Sequence, residues 1–255
     1  MTTAVIGATG RVGRAVVAGL LEDKYPVVAI VRDEARARQL FGPSGHLDTG
    51  LLGIRQVRLD GPAEVRAALD GAATVFTAMG SAGLEGNLQR AVIQAASTLP
   101  VEQFIRLSVL NTSATSLGIN QRAHWNIDFA AEVAGLPYAT IRPAIFSSSI
   151  LAAAAEVRAS RTWTGPRLLS WPDAMQVLSA ELGQQVSFVT ATEQDLLARL
   201  TTAGVPPSQA ELLITREWAL LAGENERVTT GVEDLTGHPP RTVEDFLHEN
   251  RDLFR

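Results

Sequence analysis

Hydrophobic positions in this chain follow two alternating periods. Short apolar runs rich in β-branched residues stand at "TAVIG" (3–7), "PVVAIVR" (26–32), "IRQVRLD" (54–60), "ATVFTAM" (73–79), "QFIRLSVL" (103–110) and "YATIRP" (138–143). Between them, apolar residues recur at helical spacing over 11–22, 33–40, 62–69, 84–98 and 121–134. The short runs are continuously apolar, as expected of strands buried on both faces. Strand and helix in alternation predict an α/β fold, a doubly wound parallel sheet with right-handed crossovers.

After Pro143 the pattern changes. "SSSILAAAAEVRAS" (147–160) predicts a helix. The segment 162–183 predicts a turn and then a helix, with Ser170 as N-cap, Pro172 and Asp173 in the first turn, and Gly183 as the stop. "QVSFVTA" (185–191) predicts a strand. Helices are expected at 192–204, 207–226 and 242–254, the last capped by Thr242 with Glu244 and Asp245 at its positive end. The chain therefore divides into an expected α/β domain (1–146) and a smaller, mostly helical subdomain (147–255).

Composition narrows the function classes. At 46% hydrophobic and 19% charged, the chain suits a soluble globular protein with a substantial core. A net charge of -5 without a basic block argues against direct nucleic-acid binding. The absence of cysteine excludes disulfides, thiolate metal sites and cysteine nucleophiles. His46, His238 and His248 are scattered and lack metal-ligand spacing. The chain enters its first apolar run without a signal-peptide pattern, and "SILAAAAEV" (149–157) is too short to span a bilayer. A cytoplasmic location without a membrane partner is the expectation.

Chemistry enters at "AVIGATGRVGRAV" (4–16). Gly7, Gly10 and Gly13 sit three apart between strand and helix, the context of a Rossmann-type dinucleotide cradle. Gly7 permits the tight turn, Gly10 lets backbone amides approach a pyrophosphate, and Gly13 brings the helix close. Thr9, Arg11 and Val12 complete the loop, and the helix start meets the anion. The alternative is a bare strand-to-helix turn. The second strand ends on Arg32 rather than an acidic residue, and with Arg11 it suits a 2′-phosphate, hence NADP(H). Asp33 keeps NAD(H) open, since it could serve the ribose. Asp60 ends the third strand, either capping the adenine or as a turn residue. Thr77 to Gly80, Ala78 and Met79 included, end the fourth strand, at the edge where the cofactor should lie.

These stretches, with "FIRLSVLN", "HWNIDFAAEVAGLPYATIRPAIF" and "TGPRLLSWPDAMQVLSAELG", resemble the NmrA-like family of atypical short-chain dehydrogenase/reductases. That resemblance implies either an NADPH-dependent reductase of quinones or similar conjugated carbonyls, or a non-catalytic NADP(H) redox sensor. Ordinary members of the superfamily use a Tyr, a Lys four residues on, and a Ser at the end of the fifth strand. Here the Tyr position holds Asn120, the Lys position holds His124, and Ser108 matches the serine. His124 is then a helix hydrogen-bonding residue, a cofactor-ribose contact or a proton donor. Ser108, Asn111 and Asn120 are hydrogen-bond donors for a carbonyl or a carboxamide. Trp125 and Trp163 either stack on a flat acceptor or pack internally. A strand–helix unit usual in the family is missing where "RTWTG" runs into "PRLLSW". The substrate side is then open, completed by a partner chain such as a second copy, reduced to a non-catalytic form, or artificially shortened.

Overall fold

The computed structural model describes residues 1–43, 47, 50–59, 61–80, 82–144, 146, 161–188 and 190–251, with only the backbone course described for 82–85 and 161–164. Contacts divide it into two units, 1–114 with 123–142, and 115–122 with 143–255.

In the first unit, strands β1 (Thr3–Ile6), β2 (Val27–Val31), β3 (Leu52–Gln56), β4 (Thr74–Thr77), β5 (Gln103–Leu107) and β6 (Tyr138–Ile141) form one sheet. Its order is β3-β2-β1-β4-β5-β6, and every pairing is parallel. The intervening helices are α1 (Arg11–Glu22), α2 (Glu34–Phe41), α3 (Pro62–Leu69), α4 (Ala82–Ala96) and α5 (Ile119–Val133), of which residues 119–122 are counted with the second unit. Strand alternation explains why the apolar runs are continuous. Ala4, Ile6, Ile30, Val75 and Phe104 enter one core with residues of α3, α4 and α5. Val5, Ala29, Val31 and Phe76 enter a second core against α1 and α2. Both faces are dry, so each residue of β1 beyond Thr3 is apolar and buried. The doubly wound architecture expected from the sequence is the one observed.

β3 begins and ends earlier than its apolar run suggests. Leu59 turns into the left-handed region (φ 66°) and breaks the extended course before Asp60, which lies outside the described residues. Helix α5 starts at Ile119, two residues before the expected 121.

In the second unit, β7 (Arg161–Thr164) and β8 (Leu168–Ser170) form an antiparallel hairpin where only a turn was expected. Helices α6 (Trp171–Leu182), α7 (Glu193–Thr202), α8 (Pro207–Leu221), α9 (Gly231–Thr236) and α10 (Val243–Glu249) follow. Leu169, Trp171, Met175 and Leu178 pack with Val243 and Leu247 in one small core. Leu196, Leu200, Ala210 and Ile214 form another. The expected strand at 185–191 is not formed among the described residues. The backbone amide of Val186 donates instead to Ser179 Oγ on α6 (2.9 Å), and Val186 and Phe188 pack on the α6 core. Its alternating pattern therefore reflects packing on a helix rather than a ladder. α8 stops at Leu221, short of the expected 226, because Gly223 takes the left-handed conformation. α9 had no counterpart among the expected helices. The expected helix 147–160 lies outside the described residues, as do 252–255.

Helix starts in this unit are set by side chains. Ser170, Thr192 and Thr242 each accept from the amide three residues on, and Asp173, Asp195 and Asp245 each accept from the corresponding cap amide. Gly183 ends α6 in the left-handed conformation. Replacing Ser170 by Ala removes the acceptor for the Asp173 amide (3.2 Å). The variant should be less stable by about 1 kcal/mol, read as a lower urea midpoint with an unchanged slope.

Candidate functional site

The chain leaves β1, builds outward to β2 and β3, and crosses back to β4 on the other side of β1. The sheet therefore reverses direction between β1 and β4, and at their C-terminal ends such a reversal opens a crevice. A cleft of about 310 Å³ lies there. Gly7, Thr9 and Gly10 line it from the loop after β1, Arg32 and Arg36 from the end of β2 and the start of α2, and Ala78, Met79 and Gly80 from the end of β4.

The loop glycines are required by contact. Gly7 has φ 80°, and a Cβ there would stand 2.2 Å from the carbonyl oxygen of Ala78. A Cβ on Gly13 would stand 2.1 Å from the carbonyl oxygen of Gly7. Gly10 donates its amide to Gly7 O (2.9 Å), folding the loop back on itself. Arg14 is the first residue of α1 to return a bond, to Gly10 O. The amides of Arg11, Val12 and Gly13 precede it, at the positive end of the helix. A cradle without room for a Cβ, with amides and guanidiniums around it, fits a dinucleotide phosphate.

Of the residues singled out in the sequence, Gly7, Thr9, Gly10, Arg32, Ala78, Met79 and Gly80 meet at this cleft. Arg11, Val12 and Gly13 form the first turn of α1 and are not among its described lining. Arg36 and Leu59 line it and were missed. Arg36 was legible in principle, since it lies one helical turn after the β2 end, in "VRDEAR". Asp33 caps α2, accepting from the Arg36 amide (2.9 Å), which places the Arg36 turn.

A second set of polar residues lies at the ends of β5 and β6. Arg106, Ser108, His124 and Asp128 are all buried. Arg106 forms an ion pair with Asp128 Oδ1. It also donates from Nε to Gln89 Oε1 (3.0 Å) and from Nη2 to His124 Nδ1 (2.7 Å). Asp128 Oδ2 accepts from Ser108 Oγ (2.9 Å) and from Arg142 Nη2 (3.3 Å). A guanidinium has only protons to offer. His124 Nδ1 is therefore the acceptor, and the ring proton of the neutral imidazole resides on Nε2. Burial, then the Arg106 charge, push the His124 pKa down to about 3. Burial likewise lowers the Arg106 pKa, with Asp128 opposing. Gln89 also reaches towards the carbonyl of Gly80 at 3.5 Å, a long contact joining this network to the cleft edge.

Asn120 is placed in the first turn of α5, within the second unit, and its buried Oδ1 has no partner among the described residues. Asn111 sits in a left-handed turn after β5. Trp125 stacks on Phe129, with ring centroids 5.3 Å apart, so one face of the indole is already covered. The side chain of Trp163 and all of His46 lie outside the described residues.

Residues 7–160 match the family described as NAD(P)H-binding. Agroclavine dehydrogenase of Claviceps fusiformis is 33% identical over 90 residues, 35% of this chain and 31% of that protein. The chain thus spans under a third of that relative. The NAD(P)H azoreductase of Xenophilus azovorans is 26% identical over 98% of each chain. That alignment runs over 299 positions against 255 residues here, so it opens gaps in this chain. The fold is shared with the Escherichia coli NADPH-dependent quinone oxidoreductase solved with NADPH, at a TM-score of 0.85, 22% identity, and coverage of 99% of this chain and 100% of that one.

Gly13→Ala should weaken dinucleotide binding at least tenfold, roughly 1.4 kcal/mol, in a fluorescence titration, because the methyl group must displace the Gly7 carbonyl. Wild-type affinity in this variant would remove the steric argument. His124 should show no imidazole titration by NMR between pH 5 and 8. Its lowered folded pKa also sets a sign: below about 6.5 the unfolded chain binds a proton that the folded chain refuses, until about pH 3. Stability should therefore fall as pH drops through that window, and fall less in His124→Gln. The match to known sequences begins at Gly7, the residue whose φ and contact exclude any side chain, and on that agreement of sequence with geometry the chain belongs to the NAD(P)H-binding family.

Proposed function

We propose that this chain is an NADPH-dependent reductase that passes reducing equivalents to a quinone or a similar conjugated carbonyl. The observation that carries the reading is the cleft at the β1–β4 reversal, with Arg32 and Arg36 on its β2 side. Two guanidiniums at that position suit a 2′-phosphate on the adenosine ribose. Asp33, the residue that would favour an unphosphorylated ribose, is engaged as the α2 cap. The likeness to an NAD(P)H azoreductase over nearly the whole chain supports the same class.

A reduced nicotinamide dinucleotide bound there supplies a hydride equivalent, and a quinone needs one further proton to become a hydroquinone. The chain's own part is to bind, orient and exclude water. The amides of the Gly7–Gly13 loop hold the pyrophosphate, and Arg32 and Arg36 hold the 2′-phosphate. Ser108 and His124 are fixed by Asp128 and Arg106. His124 is neutral at ordinary pH, so it orients by donating from Nε2 and does not act as an imidazolium acid. The reaction class that fits is one whose product oxygen takes its proton from water. Asn120 in place of a tyrosine leads to the same class.

The lack of an acid pair also favours a second reading, an NmrA-type protein that binds NADP(H) and reports its presence without turnover. One assay separates the two: NADPH oxidation against a panel of quinones, alongside direct NADPH binding. Turnover is expected with at least one quinone. Tight binding with no turnover on any of them would replace the enzyme by the sensor. Arg36→Ala should raise the Kd for NADPH by about tenfold or more and leave NADH within about twofold. Equal losses for both would reject the 2′-phosphate assignment.

A further inference from the structure

The buried centre at the ends of β5 and β6 holds an unequal count of charges. Arg106 and Arg142 both address a single carboxylate, Asp128. Gln89 and Ser108 are uncharged, and burial beside Arg106 keeps His124 neutral. One positive charge is left in excess. Inside, the Arg106 guanidinium (1% exposed) is matched by the Asp128 carboxylate (4% exposed). The Arg142 side chain is 46% exposed, so the surplus faces outward there.

Arg142 is held at both ends. Its backbone follows β6, where Leu107 pairs with Ile141 and the Ser108 amide donates to Ile141 O (2.8 Å). Its side chain is steered by Asp128 Oδ2, which also accepts from Ser108 Oγ. A guanidinium has five N–H donors. Among the described residues Arg142 makes one hydrogen bond, to Asp128, leaving donors for a ligand. The position is the C-terminal edge of the sheet, the edge at which open α/β sheets take their ligands. A fixed, half-exposed guanidinium with surplus charge suits a planar or tetrahedral oxyanion.

We propose that Arg142 makes this chain selective for acceptors that carry a carboxylate or sulfonate, the guanidinium pairing with that group while Asp128 holds it in place. The proposal rests on the reductase reading and names its substrate class. Arg142 binds the anion, and Asp128 and Arg106 are positioning residues.

The test uses the full chain and two naphthoquinones, one neutral and one bearing a ring sulfonate. Comparing the ratio of their kcat/KM values between variants removes their difference in reduction potential. In Arg142→Gln the sulfonated-to-neutral ratio should fall about tenfold, mainly through KM, and Arg142→Lys should keep most of it. A ratio unchanged in Arg142→Gln overturns the proposal. So does a weakened Kd for NADPH in that variant, which would assign the anion to a phosphate of the dinucleotide. Calorimetry of naphthalene-2-sulfonate with NADP+ present supplies a readout free of turnover. Binding that depends on Arg142 in a chain that reduces no quinone would support the anion site and reject the reductase reading. Absence of Arg142-dependent binding would reject the site itself. The Arg142→Lys variant, with a thermal melt of each protein, separates loss of the charge from loss of the fold.

Discussion

A guanidinium withdrawn from water at Arg106 obliges the surrounding chain to answer it. Desolvating such a group costs several kcal/mol, and only an opposed charge with further hydrogen bonds offsets that cost. Asp128 supplies the charge, and Gln89 and His124 supply acceptors. These partners come from α4 and α5, so the pair ties strand β5, one in from the edge of the sheet, to two of the helices that pack on it. The same bonds decide the chemistry available. Because Arg106 donates to Nδ1, His124 is held as a neutral donor through Nε2. Because Arg106 occupies Oδ1 of Asp128, the other oxygen is left for Ser108 and Arg142.

The glycine loop obeys a constraint of a different kind. It is steric and local, set by backbone approaching backbone at Gly7, Gly13 and Ala78. A loop drawn this close to the end of β4 borders a cleft with Arg32 and Arg36 on its β2 side. Gln89, between Arg106 and Gly80, touches both regions. The cleft and the buried charge centre therefore share one edge of one sheet.

The outline of the fold was legible because burial on both faces writes itself into strand composition. The apolar runs and helical periods of the first 142 residues correspond to β1–β6 and α1–α5 with small shifts at the ends. Caps were equally legible at Ser170 and Thr242, where one side chain satisfies an amide three residues away. The strand end points to Arg32 alone, whereas the cleft wall continues into the first turn of α2 and takes in Arg36. The segment 185–191 misled because alternation marks any surface packed on one side. Here Val186 packs on α6, and its amide meets a serine side chain.

By itself, the sequence determined the alternation of strand and helix, the glycine cradle after the first strand and the residues standing at each strand end. These are local properties, set by side-chain period, by backbone freedom and by spacing of a few residues. Only the tertiary structure decided what those residues can do. It paired Asp128 with Arg106 across 22 residues, fixed the proton of His124 on Nε2 and turned half of Arg142 outward. The physical reason is that protonation and charge depend on burial and on partners distant along the chain, which no local period records.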